Sequence, residues 1–389
     1  MIERLELKNF TVFKDLALDL SPKINVIIGE NGTGKTHLLK AAYGLCAGSS
    51  IFKNKPDISR DEFEGELTSK LIRLFMPLDN KLGKMHRHGA TDQAYLSARF
   101  AQGQKITATF FNNSKALAIK DHSNHVQYLA DAVFIPTKEV ISLAKGMTEK
   151  GHDQNTVKLI FDDGYLDLAL SLMKSGHEDT EAKVNLDPRL NTIIPQLVNP
   201  IGGRYQWENG NFCFQAGKYV DKASPKRTKA KAAQMYQDST VTEFVATGGH
   251  LFSSGMTAEG FRKVGILHRL LSNGTISPGS GGPLFWDEPE SNMNPKLMKL
   301  LVKILLELSR NGQQIILATH DYVLLKWFDL LMDKGKDDHV IYHVLYRDND
   351  QVNIDSAESY QALNVNSIAD TFSDLYDKEI ERALGKPKV

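Results

Sequence analysis

The chain has little cysteine: Cys46 and Cys213 are the only two among 389 residues. Two thiols so far apart exclude a disulfide framework and are too few for a cysteine-ligated zinc site. No run of about 18 apolar residues occurs, which excludes a membrane-spanning helix on length. Net charge is missing too, because 47 Lys+Arg balance 47 Asp+Glu. That balance argues against a general attraction to nucleic acid or acidic membrane and leaves room for a local patch. The first residues alternate charged with apolar side chains and show no signal-peptide core, so the expected location is the cytoplasm. Sustained a/d heptads are absent as well, which excludes a long coiled coil.

Against these absences stands one dense motif, Gly29-Glu30-Asn31-Gly32-Thr33-Gly34-Lys35-Thr36, which fits G-x-x-x-x-G-K-[ST] at every fixed position. A strand-like run, Ile24 to Ile28, precedes it, and a helix-like run, His37 to Ala42, follows. In such a loop the glycines let successive N–H groups face the phosphates, Lys35 sets a positive charge on the β/γ oxygens, and Thr36 offers a hydroxyl to Mg²⁺. A second apolar run, Pro283 to Trp286, ends in Asp287-Glu288. This is the form of a Walker B strand, with Asp287 expected on Mg²⁺ and Glu288 expected to polarise the attacking water. A third run, Gln314 to Thr319, ends at His320-Asp321, where His320 is expected to hydrogen-bond the γ-phosphate. The implied ligands are ATP and Mg²⁺.

These residues resemble the motifs of ABC-type ATPases, particularly the Rad50/SMC-like branch. Asn9-Phe10-Thr11-Val12-Phe13 is similar to its N-F-x-x-F element, Asp287 to Pro295 to its Walker B plus D-loop with Ser291 and Asn292, and Thr319-His320-Asp321 to its H-switch. The resemblance covers residues 1–48 and 245–350 and implies an α/β fold: an ABC-type P-loop ATPase head with a mixed or parallel core sheet, an antiparallel flanking subdomain and a compact inserted cap. The implied division is an N-terminal lobe, 1–144, a cap, 145–245, and a C-terminal lobe, 246–389. It also implies a head-to-head dimer or higher oligomer of this chain, in which the signature of one head caps the nucleotide of the other. No Leu-Ser-Gly-Gly occurs. The preferred signature is Ala258, Glu259 and Gly260, with Ser253-Ser254-Gly255 as the rival, and no Q-loop glutamine is singled out among Gln93, Gln102, Gln104 and Gln127.

Pro188, Pro195, Pro200, Gly202 and Gly203 are expected to break any long helix in the cap. Lys218, Lys222, Lys226, Arg227, Lys229 and Lys231 form a basic stretch with Trp207, Phe212 and Phe214 nearby as possible stacking groups. It reads as a nucleic-acid patch, a solvated face, or a surface for an acidic protein. His86-Arg87-His88 and His122 with His125 lack the further ligands a metal site needs. In the last helix, about 366–384, Ile368, Phe372, Leu375, Tyr376 and Ile380 share one stripe, expected to pack on the head.

No H-N-H or paired-carboxylate nuclease pattern appears, so an associated nuclease is expected on another polypeptide. The architecture is similar to the ATPases of bacterial anti-phage modules, of the AriA and PtuA types. That resemblance implies an ATP-hydrolysing sensor and scaffold that holds a separately encoded effector, a nuclease or toxin, and answers a phage-encoded trigger protein. The alternative is a Rad50/RecF-like repair ATPase acting directly on DNA. No membrane partner is expected.

Overall fold

The computed structural model describes residues 1–54, 58–122, 131–148, 153–174, 187–222, 241–277, 279, 281–365 and 367–384. They form two compact units, the first comprising Met1–Lys138, Asp153–Leu168 and Gly279–Val389, the second Glu139–His152 and Ala169–Pro278. The second unit therefore takes in 246–278, a segment assigned by sequence to the C-terminal lobe. The reason is local pairing, since the strand Val241–Ser253 runs antiparallel to Asn211–Lys222 and the helix Glu259–Ser272 packs on the helix Pro188–Ile201.

The first unit opens with β1 (Ile2–Phe10), β2 (Phe13–Asp19), β3 (Ile24–Gly29), α1 (Lys35–Asn54) and α2 (Arg60–Phe75), followed by β4 (Ala94–Phe100), β5 (Lys105–Phe110), β6 (Ala118–His122) and β7 (Val133–Ile135). Strands in the order β2-β1-β4-β5-β6 make an antiparallel sheet. In β1 the buried residues Ile2, Leu5, Leu7 and Phe10 interleave with polar ones, as a sheet covered on one face requires. That covered face shares a core with α1 and α2. In α2 the buried Phe63, Leu67, Leu71 and Leu74 recur every three or four residues, and a Ser59/Glu62 capping box starts the helix.

Next come α3 (Ala144–Thr148), α4 (Gln154–Ile160), α5 (Asp163–Met173), α6 (Pro188–Ile201), β8 (Gly203–Glu208), β9 (Asn211–Lys222), β10 (Val241–Ser253) and α7 (Glu259–Ser272). The remaining elements are β11 (Leu284–Asp287), α8 (Pro295–Arg310), β12 (Ile315–Ala318), α9 (Tyr322–Leu331), β13 (Val340–Asp348), β14 (Gln351–Ala357) and α10 (Ser367–Ala383). The core sheet has the order β14-β13-β3-β12-β11-β7, parallel except for the edge strand β14. Strands β3, β11 and β12 are buried at every position. Such runs lack polar alternation because both faces are covered. Within this sheet Asn25 and His343 form a buried polar pair, with the His343 ring nitrogens 2.7 Å from Ser356 Oγ and 3.2 Å from Asn25 Oδ1. Burial pushes that imidazole down to about 3, so it is neutral.

The second unit holds a three-stranded antiparallel sheet, order β10-β9-β8. Two expectations are corrected here. Pro195 and Pro200 lie inside α6 instead of ending it. Pro188 sits in the first turn, where no N–H is needed, and the buried Ile193, Ile194, Leu197 and Val198 hold the helix despite two missing donors. Phe212 and Phe214 are buried, the first against Trp207 at 4.7 Å and the second against Tyr205 at 5.1 Å, so neither is available to stack on a base. The side chain of Lys222, together with Lys226, Arg227, Lys229 and Lys231, lies outside the described residues; Lys218 is exposed on β9.

In the first unit the stripe of α10 does not pack as expected. Phe372 stacks on Tyr322 at 4.3 Å, while Leu375, Tyr376 and Ile380 face solvent. Helical periodicity marks a face as apolar without saying what covers it. The two ring nitrogens of His86 lie within hydrogen-bond distance of the Arg87 and Asp92 carbonyls, and the His122 side chain and His125 lie outside the described residues. No helix among the described residues is long and apolar enough to cross a membrane.

Candidate nucleotide-binding site

Strand register determines where the three motifs meet. Because β12 lies between β3 and β11, with Ala318 opposite both Ile27 and Asp287, all three strands end at one edge. The crevice outside the carboxyl ends of parallel strands is the ordinary ligand position in α/β sheets.

The loop after β3 is built for close backbone approach. Gly29, Gly32 and Gly34 have φ of 146, 78 and 96°, conformations that favour glycine. A Cβ on Gly29 would lie 2.3 Å from the Leu345 carbonyl oxygen, and one on Gly34 would lie 2.6 Å from Val12 and 2.8 Å from the Phe13 ring. The second phenylalanine of the N-F-x-x-F element thus props the loop from behind. Arg347 Nη2 donates to the Gly32 carbonyl at 2.8 Å from the strand alongside. Lys35 Nζ donates to the carbonyls of Gly29 at 2.7 Å and Glu30 at 3.0 Å. Burial lowers the pKa of this ammonium, opposed by Glu288, Asp287, Glu290 and Glu30.

Thr36 Oγ1 donates to Asp287 Oδ2 at 2.9 Å, and Thr137 Oγ1 donates to the same oxygen at 3.2 Å. Burial raises the pKa of the Asp287 carboxyl, opposed chiefly by the Thr36 hydroxyl. Glu288 follows with φ of 48°, a left-handed conformation that costs a non-glycine residue on the order of 1 kcal/mol or more. Its N–H bonds the Ala318 carbonyl at 2.9 Å, which ties the strained residue to β12. His320 Nδ1 lies 3.2 Å from Glu288 Oε1. A cavity of about 230 Å³ opens on these groups, lined by Val12, Asn31, Gly34, Lys35, Thr36 and Glu288. A glycine-rich loop ahead of a helix, a buried ammonium, two hydroxyls and a carboxylate are the groups a nucleotide phosphate with Mg²⁺ takes, so the residues fit the implied ligands. The larger concavity, about 690 Å³, is lined by Glu6, Lys8, Asn9, Tyr95 and Phe111 among others and contains none of the residues of the phosphate loop, Asp287, Glu288 or His320.

The first unit therefore brings together the loop from Gly29 to Thr36 with Asp287, Glu288 and His320. Ser291 is half-buried and Asn292 exposed, in the turn before α8, with Asn292 at φ of 57°. Ala258, Glu259 and Gly260 lie in the second unit, where Ala258 caps α7 and is exposed while Gly260 is buried in its first turn. Ser254, of the rival register, is buried in the 3₁₀ turn just before. Two residues at the site lie in segments that resemble those of ABC-type heads, the strand-proline run 132–139 and the Asp287–Pro295 segment, but have no role assigned from sequence. Thr137 follows the strand-proline segment 132–136, and only the parallel pairing of β7 with β11 brings it to Asp287. Glu290 stands between the Walker B acids and the D-loop, and its partners belong to a different strand.

The fold and the site define an ABC-type P-loop ATPase head. A family profile described as "AAA domain, putative AbiEii toxin, Type IV TA system" matches residues 24–326, and the chain belongs to that family. Among curated proteins it is similar to the DNA replication and repair protein RecF of Ligilactobacillus salivarius, at 25% identity over 62% of this chain and 61% of that protein. The match thus spans about three-fifths of that relative's length. Among solved structures it is similar to an Smc head bound to the C-winged helix domain of ScpA, with TM-score 0.48 and 15% identity, covering 92% of this chain and 97% of that one. It is also similar to the recombination mediator RecF with a bound nucleotide analogue, with TM-score 0.42 and 14% identity over 92% and 98%.

Proposed function

We propose that this chain hydrolyses ATP and uses the nucleotide state to control a separately encoded effector. The observation that carries the chemistry is the convergence of Lys35, the Thr36–Asp287 pair and the Glu288–His320 pair on one strand edge. Lys35 binds the phosphates from the buried side, and the glycine-rich loop turns its N–H groups toward them. Thr36 and Asp287 would hold Mg²⁺, which when bound neutralises charge on the transferring phosphoryl group. Thr137 keeps the Asp287 carboxylate oriented through the same oxygen. Glu288 accepts a proton from the attacking water, and His320, within reach of its carboxylate, senses the γ-phosphate. Ala258, Glu259 and Gly260, at the start of α7, cap the nucleotide of a second copy, and Ser291 and Asn292 join that interface.

The toxin–antitoxin wording of the family is the support for a control role in bacterial defence; a separately encoded effector and a phage-encoded trigger are the partners this reading implies. A repair role on DNA is the second reading, favoured by the RecF relatives. Duplex binding by the purified chain separates them: nanomolar, steeply salt-dependent binding would place repair first.

The chemistry is tested by three variants. Glu288→Gln should bind ATP and lose about 10²-fold or more in kcat. Lys35→Ala should weaken nucleotide binding by about tenfold to 10²-fold through loss of a charge-assisted contact. Ala258→Arg, at an exposed position, should keep binding and lose turnover. Near-normal turnover in Glu288→Gln would sink the assignment.

A further inference from the structure

Glu290 is the third acid of the Asp287–Glu290 segment and is only 5% exposed. Its Oε1 accepts hydrogen bonds from Thr319 Oγ1 at 2.7 Å and from the His320 N–H at 3.2 Å. The same oxygen lies 3.7 Å from His320 Nδ1, which in turn sits 3.2 Å from Glu288 Oε1. Thr319 is fully buried at the end of β12, and its hydroxyl oxygen also accepts from the Asp321 N–H at 3.0 Å. Asp321 caps α9 through the Leu324 N–H at 2.7 Å. One carboxylate therefore joins the turn after the water-polarising acid to the segment that carries the histidine and to the helix beyond it. A buried carboxylate is costly to retain unless it is hydrogen-bonded, here through Oε1, and the Glu290 and Thr319 side chains take no part in the sheet ladder, which Thr319 joins through its N–H to the Ile27 carbonyl at 2.9 Å.

We propose that Glu290 is a positioning residue of the ATPase centre, which holds the Thr319–His320 backbone so that the imidazole faces Glu288. The inference rests on the ATPase reading above. What positions His320 is the acceptor oxygen, since both bonds end on Oε1. A glutamine retains that acceptor; a leucine of similar size does not. Thr319→Val removes one of the same two bonds from the other side, together with the Asp321 N–H bond to that hydroxyl.

The test is steady-state ATP hydrolysis by the full chain, with nucleotide affinity measured separately by a fluorescent ATP analogue. In Glu290→Leu kcat should fall by about 10- to 100-fold while affinity changes by less than about threefold, because the lost contact acts on the reacting geometry. Glu290→Gln should recover kcat to within about threefold of wild type. Thr319→Val should lower kcat by about 3- to 10-fold, and adding it to Glu290→Leu should lower kcat by less than it does in wild type, the signature of a shared interaction beside the separate Asp321 bond. Wild-type turnover with unchanged kcat in Glu290→Leu overturns the proposal and leaves the ATPase reading intact. Affinity and kcat lost together in Glu290→Leu and Glu290→Gln alike also overturn it, since that is a purely structural role. Should Glu290→Leu fail to fold, an unchanged kcat in Thr319→Val overturns it. Absence of turnover in wild type, with nucleotide bound, sinks the ATPase reading and this inference with it.

Discussion

The six-stranded sheet of the first unit and the three-stranded sheet of the second accommodate polar groups under different constraints. Strands β3, β11 and β12 are buried throughout, so polar chemistry is concentrated where they end, at Gly29, Asp287 and the Thr319–His320 step. In β10 the buried Thr242 and Phe244 are followed by the exposed Val245, and the register against β9 shifts between Ala246 and Leu251. A one-residue slip in the core sheet would displace every residue of the candidate site, whereas a bulge in a half-exposed sheet displaces a few surface residues. Register is thus held most tightly where the chemistry depends on it.

The largest expected contrast tests that difference directly. Ile316→Ala, at a fully buried site in β12, should cost about 2–5 kcal/mol in urea unfolding. Similar costs for exposed positions of β10 would break the comparison.

A second effect should appear in both units. His343 in the core sheet and His268 in α7 are each pushed down to about 3 by burial. Each is neutral in the folded chain, while the unfolded chain takes up protons below about pH 6.5. The stability associated with these groups is therefore fully present above the unfolded value and is lost as pH falls toward 3. Between pH 6.5 and 5 the loss should be about 2 kcal/mol per histidine, read from denaturation midpoints at a series of pH values. His343→Gln should flatten the curve by one histidine's share; an unchanged slope would mean that His343 is not the group being protonated.

The smallest effect sharpens the comparison from the other side. Val245→Thr, at a position 45% exposed on β10, should shift stability by no more than about 0.5 kcal/mol. A larger loss would show that this face is covered when the protein is whole.

That Gly29 to Thr36, Asp287, Glu288 and His320 belong to one candidate site was legible because each follows a local pattern, an apolar run followed by polar residues of set spacing. The mixed core sheet and antiparallel flank were expected from the resemblance to ABC-type heads, and the continuous burial of β3, β11 and β12 and the alternation in β1 agree with them. The helix through Pro195 and Pro200 was not, because its stability comes from Ile193, Ile194, Leu197 and Val198 packing on one face, a gain that local propensity omits. The inward turn of Phe212 and Phe214 was hidden for a related reason: an aromatic beside a basic run has the same spelling whether it meets a base or a core.

By itself, then, the sequence determined the composition of the phosphate loop and the identity of the acids and histidine, since glycine at positive φ, an ammonium and a carboxylate have no substitutes among other residue types. Only the tertiary structure decided that Thr137 shares an oxygen with Thr36 on Asp287, that Glu290 reaches Thr319 and His320, and that the apolar stripe of α10 is left exposed. Those are relations between strands or helices distant in the chain, set by sheet register and helix packing, and no local spacing of residues encodes them.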